Sequence, residues 1–118
     1  QHRIFVLPSN TTCSWAGLGN VGCGSWCRAW VETCNLPDVY AHEIGHNLDL
    51  AHASTDTNND GTLDCEYCDT SDFMGYATAN LRTQNGPHKV QMGWASGARV
   101  VDGSSGGTNP GGPPSTGR

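Results

Sequence analysis

Residues 42–52 read HEIGHNLDLAH and contain three of the chain's five histidines. Residues four apart on a helix lie on one face, so His42 and His46 can present two imidazoles to one metal ion. Glu43 is turned by about 100° from His42, which places a carboxylate where it can hold a metal-bound water. This pattern predicts a metal-binding helix.

A third histidine, His52, follows His46 by six residues, which is too far along a straight helix for it to join the pair. A sharp turn near Asp49 would bring His52 back. Three neutral imidazoles and a water form a tetrahedral catalytic zinc site with one open position. The alternative is a polar helix whose histidines lie on the surface or are hydrogen-bonded in the core, but the third histidine makes a chance match much rarer.

The stretch resembles the signature of the metzincin zinc endopeptidases, HExxHxxGxxH followed by a methionine-containing turn. Residues 72–76 (DFMGY) would supply that turn through Met74. Residues 13–19 (CSWAGLG) and 86–94 (GPHKVQMGW) are similar to segments of the gametolysin family, which are algal cell-wall lytic proteases with bacterial relatives. The resemblance covers roughly residues 3–95.

The resemblance implies an α+β fold, namely the C-terminal portion of a metzincin-like zincin catalytic domain with an active-site helix, a Met-turn and few strands. Glu43 would be the catalytic base and acid, and Met74 would lie beneath the metal as a packing support. In astacin- and serralysin-like metzincins a tyrosine two residues after that methionine touches the zinc or the transition state, which gives Tyr76 a catalytic role by resemblance. The implied zinc ligands are His42, His46 and His52.

These features predict a secreted zinc-dependent endopeptidase that hydrolyses peptide bonds in extracellular or cell-wall matrix proteins and glycoproteins. Two departures from the family pattern keep another class open: the helix-ending glycine is Asp49 here, and a metzincin domain normally has a helix and several strands before this segment. The chain could instead be a catalytically weak zinc- and calcium-binding module with further domains on either side. A fourth protein ligand on the metal would favour the module, and a zinc-bound water beside Glu43 would favour the enzyme.

The composition predicts a small, disulfide-stapled extracellular domain. Only 36% of the 118 residues are hydrophobic and 16 are glycine, and such lean cores usually need staples. The net charge of −5 argues against a nucleic-acid partner, and no apolar run is long enough to span a membrane. Asn10 begins an N-glycosylation sequon.

Six cysteines predict three disulfides, although the sequence does not choose among the pairings. The CxxC spacing of Cys65 and Cys68 leaves a thiolate metal site or a redox pair as alternatives. The six lie at positions 13, 23, 27, 34, 65 and 68.

Residues 56–64 (DTNNDGTLD) match the spacing of a calcium loop, with oxygens at positions 1, 3, 5 and 9 and glycine at position 6. Position 12 is Tyr67 in place of a bidentate glutamate, and no helical pair flanks the loop. We therefore expect an isolated calcium site and not an EF-hand, with a solvated turn as the alternative. The candidate ligands are Asp56, Asn58, Asp60, Thr62 and Asp64.

The rest of the first hundred residues predicts few elements. Residues 3–7 indicate a strand, which by the resemblance would be the upper rim of the cleft, where an extended substrate adds as another strand. Residues 9–25 indicate a loop and residues 26–33 a second strand. The active helix should begin near Pro37, because proline is favoured at the first helical position.

The end of the chain changes in composition. Residues 87–94 predict a short helix and residues 98–101 a last strand. Residues 102–118 are almost entirely Gly, Ser, Thr, Asn and Pro, which predicts a tail or linker. We therefore expect a partial catalytic domain over residues 1–101.

Overall fold

A computed structural model describes residues 1–8 and 12–95. The sequon at Asn10, the strand predicted at 98–101 and the tail predicted at 102–118 lie outside the described residues. The chain divides into two compact units, Gln1–Asn85 and Gly86–Arg118.

A three-stranded sheet forms one side of the first unit. Its strands are β1 (His2–Val6), β2 (Gly17–Gly19) and β3 (Cys27–Val31), in the order β1-β3-β2. β1 runs parallel to β3 with Ile4 opposite Ala29, and β2 runs antiparallel to β3. The strands predicted at 3–7 and 26–33 are confirmed to within a few residues.

β3 is the central strand and carries the sheet's buried face. Cys27, Ala29 and Val31 alternate with more exposed residues and are at most 2% exposed. This period of two is what a strand with one covered face requires. The covered face packs against the helix α1, Pro37–Asn47.

β2 was not predicted, because its sequence Gly-Leu-Gly lies within residues expected to form a loop. The glycines are needed where the helix approaches: a Cβ on Gly17 would lie 2.4 Å from Oε1 of Glu43, and one on Gly19 would lie 2.7 Å from the main-chain oxygen of Glu43. The prediction of an uninterrupted loop over 9–25 is therefore wrong. The residue type that indicates a loop is here the one that allows close packing.

The helix begins at Pro37, as predicted, and its first turn is fixed by a distant arginine. Asp38 is fully buried, and Nη2 of Arg82 lies 2.7 Å from its Oδ2. Thr78 also donates to this carboxylate from its main-chain nitrogen at 3.2 Å. Burial tends to raise the pKa of Asp38, but the hydrogen bonds from Arg82 and Thr78 outweigh it and hold that pKa below its ordinary value.

The helix ends in a Schellman motif with an aspartate in the place usually taken by glycine. Asp49 has φ of 67°, a left-handed conformation, which confirms the sharp turn expected near this residue. The main-chain nitrogen of Leu50 donates to the oxygen of Gly45 at 3.0 Å, and that of Asp49 donates to the oxygen of His46 at 2.9 Å. The chain therefore turns sharply away from the helix axis.

The segment 72–76 turns tightly and presses a methionine against α1. Met74 is fully buried, and its main-chain nitrogen donates to Oδ1 of Asp72 at 2.7 Å. A Cβ on Gly45 would lie 2.3 Å from Sδ of Met74. Gly45 therefore weakens the helix in isolation but admits the methionine turn.

The prediction of three disulfides is wrong in part. Cys23 pairs with Cys27 and Cys65 with Cys68, each pair with Cα atoms 5.5 Å apart. Cys13 and Cys34 are free thiols. They line one cavity but are not bonded, and Cys34 lies against the Tyr40 hydroxyl instead.

The second unit contributes one described helix, α2 (Gly86–Gln91), which is shorter than the helix predicted at 87–94. Gly93 has φ of 72°, and the nitrogen of Trp94 donates to the oxygen of Lys89 at 2.8 Å. This helix thus also ends in a left-handed residue. Within the described ranges, neither helix has the length and apolar character that a membrane crossing needs.

Candidate metal centre

The three histidines of residues 42–52 come together at one point. His42 and His46 lie one turn apart on α1, and the turn at Asp49 brings His52 back beside them. Their candidate ligand atoms all lie within 4.8 Å of one another, and Nε2 of His46 is 3.1 Å from Nε2 of His52. Two nitrogens bound to one tetrahedral zinc are roughly 3.3 Å apart, given Zn–N bonds of about 2.0–2.1 Å, so the donor set fits zinc.

Each imidazole is oriented from behind by an oxygen acceptor. Because these oxygens accept a hydrogen bond, each Nδ1 carries the proton and each Nε2 keeps its lone pair for a metal. The acceptors are the main-chain oxygen of Phe73 for His42 at 3.0 Å, that of Leu50 for His46 at 2.9 Å, and Oε1 of Glu66 for His52 at 2.6 Å.

The helical histidines are held in their neutral form. Burial lowers the pKa of His42 to about 4, and the neighbouring histidines add to that effect. Burial also lowers the pKa of His46. Neutral imidazole is the form that binds a metal, so protons compete weakly for these two nitrogens at neutral pH.

Glu43 lies beside the histidines without joining them. It is 5% exposed, and burial raises the pKa of its carboxyl to about 7. It lines one cavity together with all three histidines. A buried carboxyl with a pKa near neutrality is suited to accept and return a proton.

The strand at the rim of this cavity is β2 and not the one expected. Gly17, Leu18 and Gly19 line it, whereas no residue of β1 does. β1 lies across β3 on the opposite edge of the sheet. The prediction that residues 3–7 form the cleft rim is therefore wrong, because the nearer strand was hidden in a glycine-rich stretch.

Two residues at the site were missed by the sequence analysis, and both lie inside the Cys65–Cys68 loop. Glu66 holds His52, as described above. The ring centroid of Tyr67 lies 4.2 Å from that of His52 and 6.2 Å from that of His42. In the sequence, these two residues are visible only as a Glu-Tyr pair between the cysteines of CxxC. That motif indicates cysteine chemistry, and Tyr67 also falls at position 12 of the calcium loop, but neither pattern indicates a contact with His52.

Tyr76 lies at the same cleft in a more open position. It is 71% exposed and lines a cavity with Tyr67, His42 and Glu43. Its main-chain nitrogen donates to the main-chain oxygen of Tyr67 at 2.9 Å. The two tyrosines thus border one space, and the ring of Tyr67 is the one that lies beside His52 and His42.

The acidic loop is closed by its own hydrogen bonds. Asp56 accepts from the nitrogens of Asp60 and Gly61, and Asp64 accepts from the nitrogen of Thr57 at 2.7 Å. All five candidate calcium ligands are exposed. They form no converging group of three acidic side chains in the part of the chain that the structure describes. The calcium site therefore stays a prediction without structural support.

A second group of potential ligands lies near the C-terminal end of α1, where Nδ1 of His2 is 3.4 Å from Oδ1 of Asn47. It consists of His2, Cys23 and Cys27, with Nε2 of His2 4.0 Å from Sγ of Cys27. Because the two cysteines are bonded to each other, their sulfurs are not thiolate ligands.

Comparison with known proteins agrees with this geometry. The family model of gametolysin peptidase M11 matches residues 1–111. Over 102 residues the chain is 37% identical to an autolysin of Chlamydomonas reinhardtii. The aligned region covers 80% of this chain and 15% of the autolysin. The chain thus spans only a small part of the length of the curated relative it matches. No solved structure gave a significant match. The chain belongs to the gametolysin peptidase family, M11.

Proposed function

We propose that this chain carries the metal centre of a secreted, metzincin-type zinc endopeptidase that cleaves extracellular or cell-wall matrix proteins and glycoproteins. The observation that supports it most is the convergence of three imidazoles beside a buried carboxylate. Membership of a peptidase family supports the reaction class. The two disulfides are consistent with an oxidising, extracellular environment.

The chain's own residues can be given definite roles. His42, His46 and His52 would hold the ion through Nε2. A bound zinc supplies a Lewis acid and lowers the pKa of a bound water toward about 7. Glu43 would take the proton of the attacking water and return it to the leaving amine. The buried Met74 would support the floor of the site through its contact with Gly45.

The substrate backbone would lie along β2. This strand pairs with β3 on one side only among the described residues, so its other edge has free main-chain donors and acceptors. An extended peptide can add to such an edge as a further strand. The glycines at positions 17 and 19 let β2 itself lie close to Glu43. A peptide added along this strand would therefore pass near that carboxylate.

An open site is favoured over a closed structural one. No fourth histidine, cysteine or carboxylate joins the three imidazoles within the described ranges. A structural zinc site uses four protein ligands, whereas a catalytic site leaves one position for water. The arrangement therefore favours the endopeptidase over the catalytically weak module.

The test is a cleavage assay with the wild-type protein and Glu43→Gln on casein and on cell-wall glycoproteins. We expect the variant to lose proteolysis, because the amide cannot accept the proton, while zinc stays near one ion per chain. A chelator should abolish wild-type cleavage, and zinc should restore it. Glu32→Gln removes the same charge away from the site and should cleave normally. Loss of zinc in Glu43→Gln would mean that Glu43 is a ligand, and full activity would refute the proposal.

The phenol that stabilises the transition state is assigned by comparing two variants. Tyr76 has this role by resemblance, whereas the ring contacts with His42 and His52 favour Tyr67. We propose Tyr67 as the donor, so Tyr67→Phe should lower kcat by about 10²-fold with little change in KM. Tyr76→Phe should keep most activity. The opposite pattern would return the role to Tyr76.

A further inference from the structure

We propose that Glu66 is a positioning residue of the metal centre, and that the Cys65–Cys68 disulfide holds it there. Glu66 would fix the imidazole of His52 through Nδ1 and so set the affinity for zinc. This inference rests on the zinc site proposed above and adds a further residue to it.

Among the three histidines, His52 depends on a side chain for its orientation. His42 and His46 stand on a helix and donate to main-chain oxygens, which the fold itself fixes. His52 stands in the segment after the helix and donates to the carboxylate of Glu66 at 2.6 Å. Its side chain is 25% exposed, so few packing contacts fix the ring from the solvent side.

The loop that carries Glu66 is anchored on both sides. The disulfide between Cys65 and Cys68, which are three positions apart, closes this loop. Cys65 is joined to Thr55 by two main-chain hydrogen bonds of 2.9 and 3.2 Å, and Thr55 lies three residues after His52. The loop is therefore tied to the same segment that presents the third ligand.

Its other anchor is the methionine turn. The main-chain oxygen of Tyr67 accepts the nitrogen of Tyr76 at 2.9 Å. The ring of Tyr67 lies over His52 with centroids 4.2 Å apart. His52 is thus held from one side by Glu66 and from another by Tyr67, and both residues come from one disulfide-closed loop.

A carboxylate behind a metal-binding imidazole has two effects. It fixes the orientation and the tautomer of the ring, and its negative charge makes Nε2 a stronger ligand for the metal. Removing such a partner typically weakens metal binding by about 10–100-fold. The competing view is that Glu66 makes an ordinary surface ion pair, since its side chain is 56% exposed, and such a pair would leave zinc binding unchanged.

The experiment measures zinc dissociation constants by chelator competition at pH 7.5 for wild type, Glu66→Ala, Glu66→Gln and Glu32→Gln. We expect about 10–100-fold weaker binding for Glu66→Ala. Glu66→Gln should be affected less, since its amide oxygen still accepts the hydrogen bond. Glu32→Gln removes a carboxylate that lines a different cavity from the three histidines and should bind zinc like the wild type. The cobalt-loaded Glu66→Ala variant should also show a shifted visible absorption spectrum, which a distant change would not produce.

The disulfide is tested by a double-mutant cycle. The double variant Cys65→Ser/Cys68→Ser should itself bind zinc more weakly than the wild type. Adding Glu66→Ala to this variant should weaken zinc binding by a much smaller factor than it does in the protein with the disulfide. Thermal melting of the metal-free proteins shows which variants are folded. Zinc affinities are compared among the folded variants only. Fully additive losses would overturn the role of the disulfide. Wild-type affinity in folded Glu66→Ala would overturn the inference while leaving the zinc peptidase intact, whereas a wild-type protein that binds no zinc would overturn both.

Discussion

The backbone angle of one residue, Asp49, brings the three candidate ligands together. Its φ of 67° ends the helix and returns His52 to the other two histidines. A left-handed conformation costs a residue with a Cβ up to about 1–2 kcal/mol, and aspartate tolerates it better than most. The chain therefore keeps the turn of the family pattern without the glycine.

Replacing this aspartate by glycine should relieve that strain. We expect Asp49→Gly to stabilise the fold or strengthen zinc binding by up to about 1 kcal/mol, because glycine enters the left-handed region without penalty, although it also gains freedom in the unfolded chain. Thermal melting and zinc titration measure the two effects. Asn59→Gly is the matched control, since Asn59 has φ of 57° in the polar loop and should leave zinc affinity unchanged. Weaker zinc binding in Asp49→Gly would show that the aspartate side chain itself supports the site.

At the same scale, the sequence predicted the site residues that lie at a recognisable spacing along the chain. It missed those that have no such spacing. The positions of His42, His46 and His52 could be read because a helix and one turn connect them. Glu66 and Tyr67 approach His52 across a loop of more than ten residues, and no local periodicity relates them to it. Only the folded chain brings them to the site.

At the scale of elements, the active helix is anchored at its start by an ion pair that spans 44 residues. Pro37 predicted where the helix begins, but nothing local indicated that Arg82 would contact Asp38. The pair connects α1 to the segment after the methionine turn, and Arg82 also donates to the main-chain oxygen of Thr70 at 3.0 Å. The floor of the candidate metal site is therefore fixed relative to the helix that carries two of the candidate ligands.

Breaking this pair should destabilise the whole unit. We expect Asp38→Asn to lower the free energy of unfolding by roughly 3 kcal/mol at pH 7, because Arg82 would lose its buried counter-charge. The folded pKa of Asp38 is depressed, so its stabilisation is complete above its unfolded pKa of about 3.9 and is lost as the pH falls through the lower folded pKa. Denaturant unfolding at pH 7 and near pH 3 measures this difference.

The matched control is Asp64→Asn, which removes an exposed carboxylate that accepts hydrogen bonds from Thr57. The denaturant concentration at the unfolding midpoint of this variant should differ little from that of the wild type at pH 7. If Asp38→Asn lowers the free energy of unfolding by the same amount at a pH well below 3.9 as at pH 7, the effect comes from packing and not from charge.

For the whole molecule, composition predicted an extracellular chain with a lean core, and the structure shows how that core is supplemented. Its fully buried side chains include Val31, Leu50 and Met74, and most large apolar residues of the first strand remain exposed. The cysteine count could indicate staples but not their pairing, since pairing depends on distances that only the fold sets. Two of the three expected bridges form.

The remaining two cysteines make the last prediction. Thiol titration of the denatured, unreduced protein should find two thiols per chain, and six after reduction, because Cys13 and Cys34 are unpaired. In the folded protein Cys34 should react first, since it is exposed and Cys13 is half-buried. Mapping the labelled peptide identifies which thiol reacted. A titration of zero would mean that the two cysteines bordering the cavity beside Trp15 close into a third bridge, and the segments on either side of that cavity would then have to move together.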